Sequence, residues 1–236
     1  MSVSDNRKES KHSRWPPNSF VGRLGPIEQN ALLRLGGREE FRDSRRLLRQ
    51  GDRGRNLLLL TSGNVEVVAT AAGRRPRRLG LRTTGDLVGE ISYLDSQPRS
   101  ASVIAIGTVT ALNISYKAFD LFLAQHPAAH RPFARILADR LRAADVRPVE
   151  SGQRVEIRVA AALCELDTTT RSDGTAVVLI TQRELARLVG ASQISTHRAL
   201  RKFSDQGYIT TGHRSIAIRD IDGLIRCAQR LPPYIT

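Results

Sequence analysis

The sequence predicts an α+β protein: a closed or sandwich-like β domain, then a long helix, then a helix-turn-helix carrying a β-hairpin. Short apolar stretches broken by Gly-Asp and Ser-Gly turns, from Phe41 to Ser115, give the β domain. A near-heptad apolar stripe after Pro132 gives the long helix. A capping box, a glycine turn and a second capped helix, between Thr181 and Gly207, give the last part. At 236 residues the chain has room for one or two domains, with cores that need no disulfide or metal staples.

Residues 1–19 are poor in apolar side chains and are expected as a disordered tail. From Pro26, the residues Ile27, Ala31, Leu32 and Leu35 recur at helical spacing, and Gly36-Gly37 ends that helix. The strands follow: Leu47-Leu48, Leu57–Leu60, Val65 with Val67, Leu79 with Leu81, Ser102–Ile106 and Thr108–Ile114. Helix returns at Tyr116, where Ala118, Leu121 and Phe122 share a face. The next helix starts at Pro132 with the stripe Phe133, Ile136, Leu137, Leu141 and Ala144. Spacing alone leaves two readings of that stripe: packing on its own domain, or a two-helix dimer seam. Pro148 stops or kinks the helix at Arg147. Val155–Leu166 reads as an alanine-rich helix, 167–174 as a polar loop and Ala176–Ile180 as a short strand.

Composition narrows the function. The 37 basic and 23 acidic residues give a net charge of +14, spread along the whole chain. A basic chain favours nucleic acid or an anionic surface, but spread charge needs a reading element with defined geometry. The longest clean apolar run is Leu57–Leu60, far short of the roughly 20 residues of a membrane span. With no apolar leader in the first 20 residues, a cytoplasmic location is expected. Cys164 and Cys227 are far apart and the histidines are scattered, so no metal-binding spacing is present. No nucleophile–base pair stands out, and no catalytic residue is assigned.

The reading element lies at Thr181–Ile218. Thr181 and Glu184 form a capping box, Gly190 breaks the first helix, and Ser192 caps a second from Gln193 to about Gln206. Tyr208–Thr210 and Ile216–Ile218 make a hairpin that serves as a wing. Candidate DNA contacts are Thr181, Gln182, Ser192, Gln193, Ile194, Ser195 and Arg198. Gln and Arg suit bidentate bonds to adenine and guanine edges, while Ser, Thr and a helix N-terminus suit phosphates. The competing reading is a helical hairpin with a solvated polar face.

A second cluster lies at 85–102. Gly89 permits close backbone approach, Glu90–Leu94 can form one helical turn, and Arg99 follows a proline turn at the start of a strand. Arginine's planar fork suits a phosphate, and Glu90 can accept a sugar hydroxyl. A surface Glu90–Arg99 ion pair capping the barrel end is the other reading of the same spacing.

On these residues the chain resembles the Crp/Fnr family of bacterial transcription regulators, over about residues 20–222. The resemblance rests on Leu48 with Gly51-Asp52, on Leu57, Leu60, Gly63, Val65 and Val67, and on Gly85-Asp86 with Gly89-Glu90. It also rests on Pro98-Arg99-Ser100-Ala101, and on the run from Ile180 to Ser192 followed by Tyr208-Ile209. It implies a cyclic-nucleotide-binding, jelly-roll-like β-roll (20–131 after the tail 1–19), a dimerisation helix and hinge (132–150), and a winged helix-turn-helix (151–236). Gly89 and Ser100 would bond the cyclic phosphate, Arg99 would pair with it, Glu90 would hold the ribose hydroxyl, and Arg140 would reach the same pocket. The resemblance assigns the Phe133–Ala144 stripe to the dimer seam. It implies a homodimer on an inverted-repeat operator in double-stranded DNA, RNA polymerase as a further partner, no membrane, and cAMP or cGMP as effector. Ala144-Asp145 stand where cAMP-responsive members carry a Thr-Ser pair. Two rivals remain: a ligand-independent regulator with a degenerate pocket, and a cyclic-nucleotide module acting on a protein partner.

Overall fold

The computed structural model describes residues 15–70, 76–145, 155–166, 168–170 and 175–229. Its N-terminal sheet comprises β1 (Gly37–Phe41), β2 (Arg46–Leu48), β3 (Asn56–Ala69), β4 (Arg77–Arg82), β5 (Leu87–Val88) and β6 (Ser102–Ser115). The spine is the antiparallel pair β3 and β6, bent where its register shifts between Leu60 and Asn64. β1 and β2 add to β6, and β4 and β5 add to β3, all antiparallel. This is the expected roll.

The Leu57–Leu60 run is apolar throughout because both of its faces are buried. Leu57 and Leu59 face the helices with Phe20, Ile114 and Phe119, while Leu58 and Leu60 fill the roll with Val88, Val109 and Ala111. Each such side chain contributes about 1.5–3 kcal/mol by leaving water.

Four helices dress the roll: α1 (Pro26–Leu32), α2 (Glu90–Asp95), α3 (Tyr116–Gln125) and α4 (His130–Asp145). The structure corrects several details. Trp15 and Ser19 are buried, and the amide of Val21 bonds the Gly85 carbonyl at 3.0 Å, so the expected tail is packed from Trp15 onward. Ile27 and Leu121 are exposed, and α3 turns Phe119, Phe122 and Leu123 inward instead. On α4, Phe133 and Ile136 are buried in their own domain's core at 6% and 4% exposure. They close the aromatic cluster around Phe20, Tyr93 and Phe119 and are not available to a seam. The outward row is Ala134, Leu137, Ala138 and Leu141, with Leu141 67% exposed. The heptad is therefore offset from the predicted stripe. Pro148 and the side chains of Ala144 and Asp145 lie outside the described residues.

The C-terminal part contains α5 (Val155–Glu165), β7 (Thr168–Thr170), β8 (Ala176–Val178), α6 (Gln182–Leu188), α7 (Gln193–Asp205), β9 (Ile209–Gly212), β10 (Ser215–Ile218) and α8 (Ile221–Gln229). The sheet order is β7-β8-β10-β9, so the wing hairpin is backed by two more strands. β7 lies inside the expected polar loop. Val159, Leu163, Leu185, Leu200, Phe203 and Leu224 form the core, and Leu81 and Ile106 of the roll join it. Arg187 of α6 pairs with Asp43 of the roll at 3.0 Å. No helix among the described residues is long and apolar enough to cross a membrane.

Candidate ligand pocket and DNA-reading surface

One cavity of about 420 Å³ in the roll is lined by all five predicted ligand residues: Gly89, Glu90, Arg99, Ser100 and Arg140. Gly89 is the N-cap of α2 at φ 88°, a left-handed conformation that favours glycine. Arg99 is brought to the wall by its backbone: its amide bonds the Asp52 carbonyl at 2.8 Å, and its carbonyl accepts from Gly51 at 2.9 Å. This explains why Gly51-Asp52 belongs with the cassette.

The Arg99 guanidinium is buried and held by protein acceptors. Nη1 donates to the Gly89 carbonyl at 2.9 Å and the Tyr116 hydroxyl at 3.2 Å. Nη2 donates to the Asn56 carbonyl at 2.6 Å and to Asn56 Oδ1 at 3.0 Å. Burial pushes the Tyr116 phenol above its ordinary range, against the pull of Arg99, so it stays neutral. Gly54 lies flat on this group: a Cβ there would overlap the guanidinium. The residues fit an anion nonetheless, because a buried, fixed positive charge and the exposed Ser100 hydroxyl line the same wall.

Glu90 pairs with Arg140, not with Arg99 as the surface-pair reading had it. Its Oε1 lies 2.6 Å from Arg140 Nη1, which is buried without an aligned hydrogen bond, so the contact is an ion pair by proximity. Arg140 Nη2 donates to the Leu87 carbonyl at 2.8 Å and stands 3.9 Å from Asp86. Burial pushes the Asp86 carboxyl above its usual range, while Arg140, the Thr83 amide and Arg82 pull it back. Through Arg140, α4 is tied to the pocket that its outward row borders.

In the C-terminal part the predicted capping box is present. Thr181 Oγ1 accepts from the Glu184 amide at 3.1 Å, and Glu184 Oε2 accepts from the Thr181 amide at 2.6 Å. Ser192 caps α7 by accepting from the Ser195 amide at 3.1 Å. Gly190 takes φ 60° in the turn. Ala199, Leu200 and Phe203 face the core as expected, and Gln193, Ile194 and Arg198 face solvent. Ser195 is half-buried, and Gln182 Oε1 lies 3.1 Å from His197 Nδ1, accepting from it in the tautomer that carries a proton there. The exposed face extends to Arg201 and Lys202, which sequence reasoning missed although they repeat the Gln193 and Arg198 positions at helical spacing. Arg158 of α5 was also missed. It donates to the carbonyls of Val189 at 2.6 Å and Gly190 at 3.2 Å, fixing the turn between the two helices.

Comparison with known proteins agrees with this architecture. Residues 38–126 match the cyclic nucleotide-binding domain, and residues 157–227 match the Crp-like helix-turn-helix domain. A cyclic AMP receptor protein of Thermus thermophilus is 31% identical over 198 residues, covering 84% of this chain and 90% of the relative. A CRP-like cAMP-activated global transcriptional regulator of Mycobacterium tuberculosis is 31% identical over 185 residues, covering 76% and 83%. The crystal structure of the Thermus thermophilus catabolite activator protein superposes with a TM-score of 0.50 at 29% identity, covering 89% of this chain and 97% of that one. FixK2 of Bradyrhizobium japonicum, at 18% identity and a TM-score of 0.64, covers 83% and 98% and shares the fold.

Proposed function

This chain belongs to the Crp/Fnr family of transcription regulators, and we propose that it is a homodimer that reads an inverted-repeat operator under control of a cyclic nucleotide in its roll. The observation that carries the ligand is the convergence of Gly89, Glu90, Arg99, Ser100 and Arg140 on one cavity. The cyclic phosphate sits against the Ser100 hydroxyl and the Gly89 backbone, in the field of the Arg99 guanidinium. Glu90, held by Arg140, accepts the ribose hydroxyl. The fixed arginine costs no reorganisation when the anion arrives, and charge-assisted bonds are about twice as strong as neutral ones.

Control follows from where the pocket lies. Arg140 belongs to α4, whose outward row of Ala134, Leu137, Ala138 and Leu141 offers small and apolar side chains to a second copy. Ligand at Glu90 biases the α4 orientation, and a two-fold pair of α4 helices sets the separation of the two α7 helices. The competent state places them about 34 Å apart, one turn of DNA. Gln193 and Arg198 read base edges, and exposed Ile194 suits a thymine methyl. Thr181, Gln182, Ser192 and Ser195 hold the backbone, with Arg201 and Lys202 adding charge toward phosphates.

Calorimetric titration of cAMP and cGMP into wild type and Ser100→Asp tests the pocket. Ser100 is exposed, so the fold survives, but the added carboxylate repels the phosphate. Binding should be lost in the variant. Equal affinity in both proteins removes the phosphate from this wall.

A further inference from the structure

The backbone closes the turn between α6 and α7 only in part. α6 ends in a Schellman arrangement: Gly190 takes φ 60°, the Ala191 amide donates to the Ala186 carbonyl at 2.9 Å, and the Gly190 amide donates to the Arg187 carbonyl at 3.2 Å. The carbonyls of Val189 and Gly190 fall beyond that pattern. Both are taken by one atom, Arg158 Nη1 of α5, at 2.6 and 3.2 Å. A Cβ added at Gly190 would stand 3.5 Å from the same nitrogen, so backbone and guanidinium are packed together. The positive charge also complements the C-terminal end of the α6 dipole.

This grip holds the start of α7. Ala199, Leu200 and Phe203 fix the middle of that helix in the core. Its first turn has no such anchor: Gln193 and Ile194 are exposed, Ser195 is half-buried, and the first fully buried residue is Thr196. Between Val189 and Thr196 the only apolar side chain packed on the core is the small, half-buried Ala191. The Gln193 end of α7 therefore takes its place from the turn, and the turn takes its place from Arg158. Arg158 is itself fixed on α5 between the buried Ile157 and Val159. Its Nε is buried without a hydrogen-bond partner, a cost that a residue serving stability alone would avoid.

We propose that Arg158 is a positioning residue for DNA reading: from α5 it fixes the turn, and through the turn it aims the Gln193 end of α7 at the base edges. The proposal rests on the DNA-reading function above and deepens it. A direct phosphate contact would supply charge to any sequence; a positioning residue supplies only the geometry that base contacts need.

The test is fluorescence anisotropy of the full chain on two duplexes of equal length, with the same nucleotide present for all proteins. One duplex is the site that wild type enriches from a random library; the other is its scrambled sequence. Arg158→Met should weaken the selected site by about 10- to 100-fold and the scrambled duplex by less than about threefold. The slope of log affinity against log salt should stay at the wild-type value. Arg158→Lys should recover most of the loss, because one nitrogen makes both bonds and an ammonium can stand in for it, with a methylene replacing the unmet Nε. Arg158→Gln, a neutral donor, should lie between the two. Thermal melts of the three variants show which are folded at the assay temperature, and the Lys and Gln variants carry the comparison if Met unfolds. An unchanged affinity for the selected site, or a loss that lysine does not relieve, overturns the positioning role. An equal fall on both duplexes, with the salt slope reduced by about one, makes Arg158 a phosphate contact instead. A wild type that enriches no motif removes the DNA-reading function, and the positioning role with it.

Discussion

Replacing Gly54 by alanine should loosen Arg99 without touching it in sequence. Gly54 does not adopt a left-handed backbone, so alanine is conformationally acceptable, and by restricting the unfolded chain it contributes about 0.4–1 kcal/mol of stability. Against this, the new Cβ would overlap Nη2, Cζ and Nε of Arg99. The guanidinium must shift, and it is held by four bonds to Gly89, Tyr116 and Asn56. Hydrogen bonds to a charged group contribute about 1.5–3 kcal/mol each. Losing one and lengthening the others outweighs the entropic gain and leaves a net loss of about 2 kcal/mol. For a chain of this size that is a fall in Tm of roughly 4–8 °C. Cyclic-nucleotide affinity should fall at least tenfold, because the charge no longer sits where the phosphate arrives. Gly37→Ala is the control: a Cβ there meets nothing within 4 Å, so only the unfolded-chain gain remains and its Tm should rise by about 1–4 °C. Scanning calorimetry and ligand titration on the two variants read both effects. A Gly54→Ala protein with wild-type Tm and affinity would refute the picture of a packed, pre-positioned arginine.

Three further outcomes follow from the geometry. Leu141→Asp should leave a folded monomer in sedimentation, whereas Ile136→Asp should unfold the roll, since only the first side chain faces outward; a folded monomer from Ile136→Asp would return that residue to the seam. Thr196 is fully buried on α7 with a hydroxyl that finds no partner, so Thr196→Val should gain about 1 kcal/mol in urea unfolding, and a loss of that size would reveal a hidden bond. The folded Asp86 carboxyl titrates above its ordinary 3.8, so between these values the native chain binds more protons than the unfolded one and stability falls as pH rises. Asp86→Asn keeps an acceptor for the Thr83 amide and removes that titration, so its stability relative to wild type should rise from about pH 4 upward; a pH-independent difference would contradict the shift.

Much of this was legible because it is local. The capping box at Thr181, the Ser192 cap and the Gly190 turn are each specified within a few residues, and each formed as read. The Gly89–Glu90 and Arg99–Ser100 motifs met in one cavity because β5, α2 and the start of β6 bring them there. What stayed hidden depends on distant partners. Nothing near Asn56, Gly54 or Tyr116 in sequence marks them as the cradle of Arg99. Leu137 and Leu141 of the α4 stripe lie on the outward row, but Phe133 and Ile136 were misassigned, because helical spacing says which residues share a face, not which of two surfaces that face meets. Phe133 and Ile136 went to the roll, since Phe20 and Phe119 offered them an aromatic cluster. β7 escaped because Thr168–Thr170 carries no apolar alternation, and its pairing with β8 is supplied by the backbone. α8 is amphipathic, with Leu224 buried and its first turn capped by Asp220, but Gly223 interrupts the helical pattern.

The most direct measurement of ligand-controlled DNA reading is selection from a random double-stranded library by the full chain, run without nucleotide, with cAMP and with cGMP. An inverted repeat whose half-sites lie about one helical turn apart should emerge, with enrichment raised by a cyclic nucleotide. Enrichment of a single half-site, or the same repeat recovered equally well with and without nucleotide, would contradict a dimer whose roll controls its recognition helices.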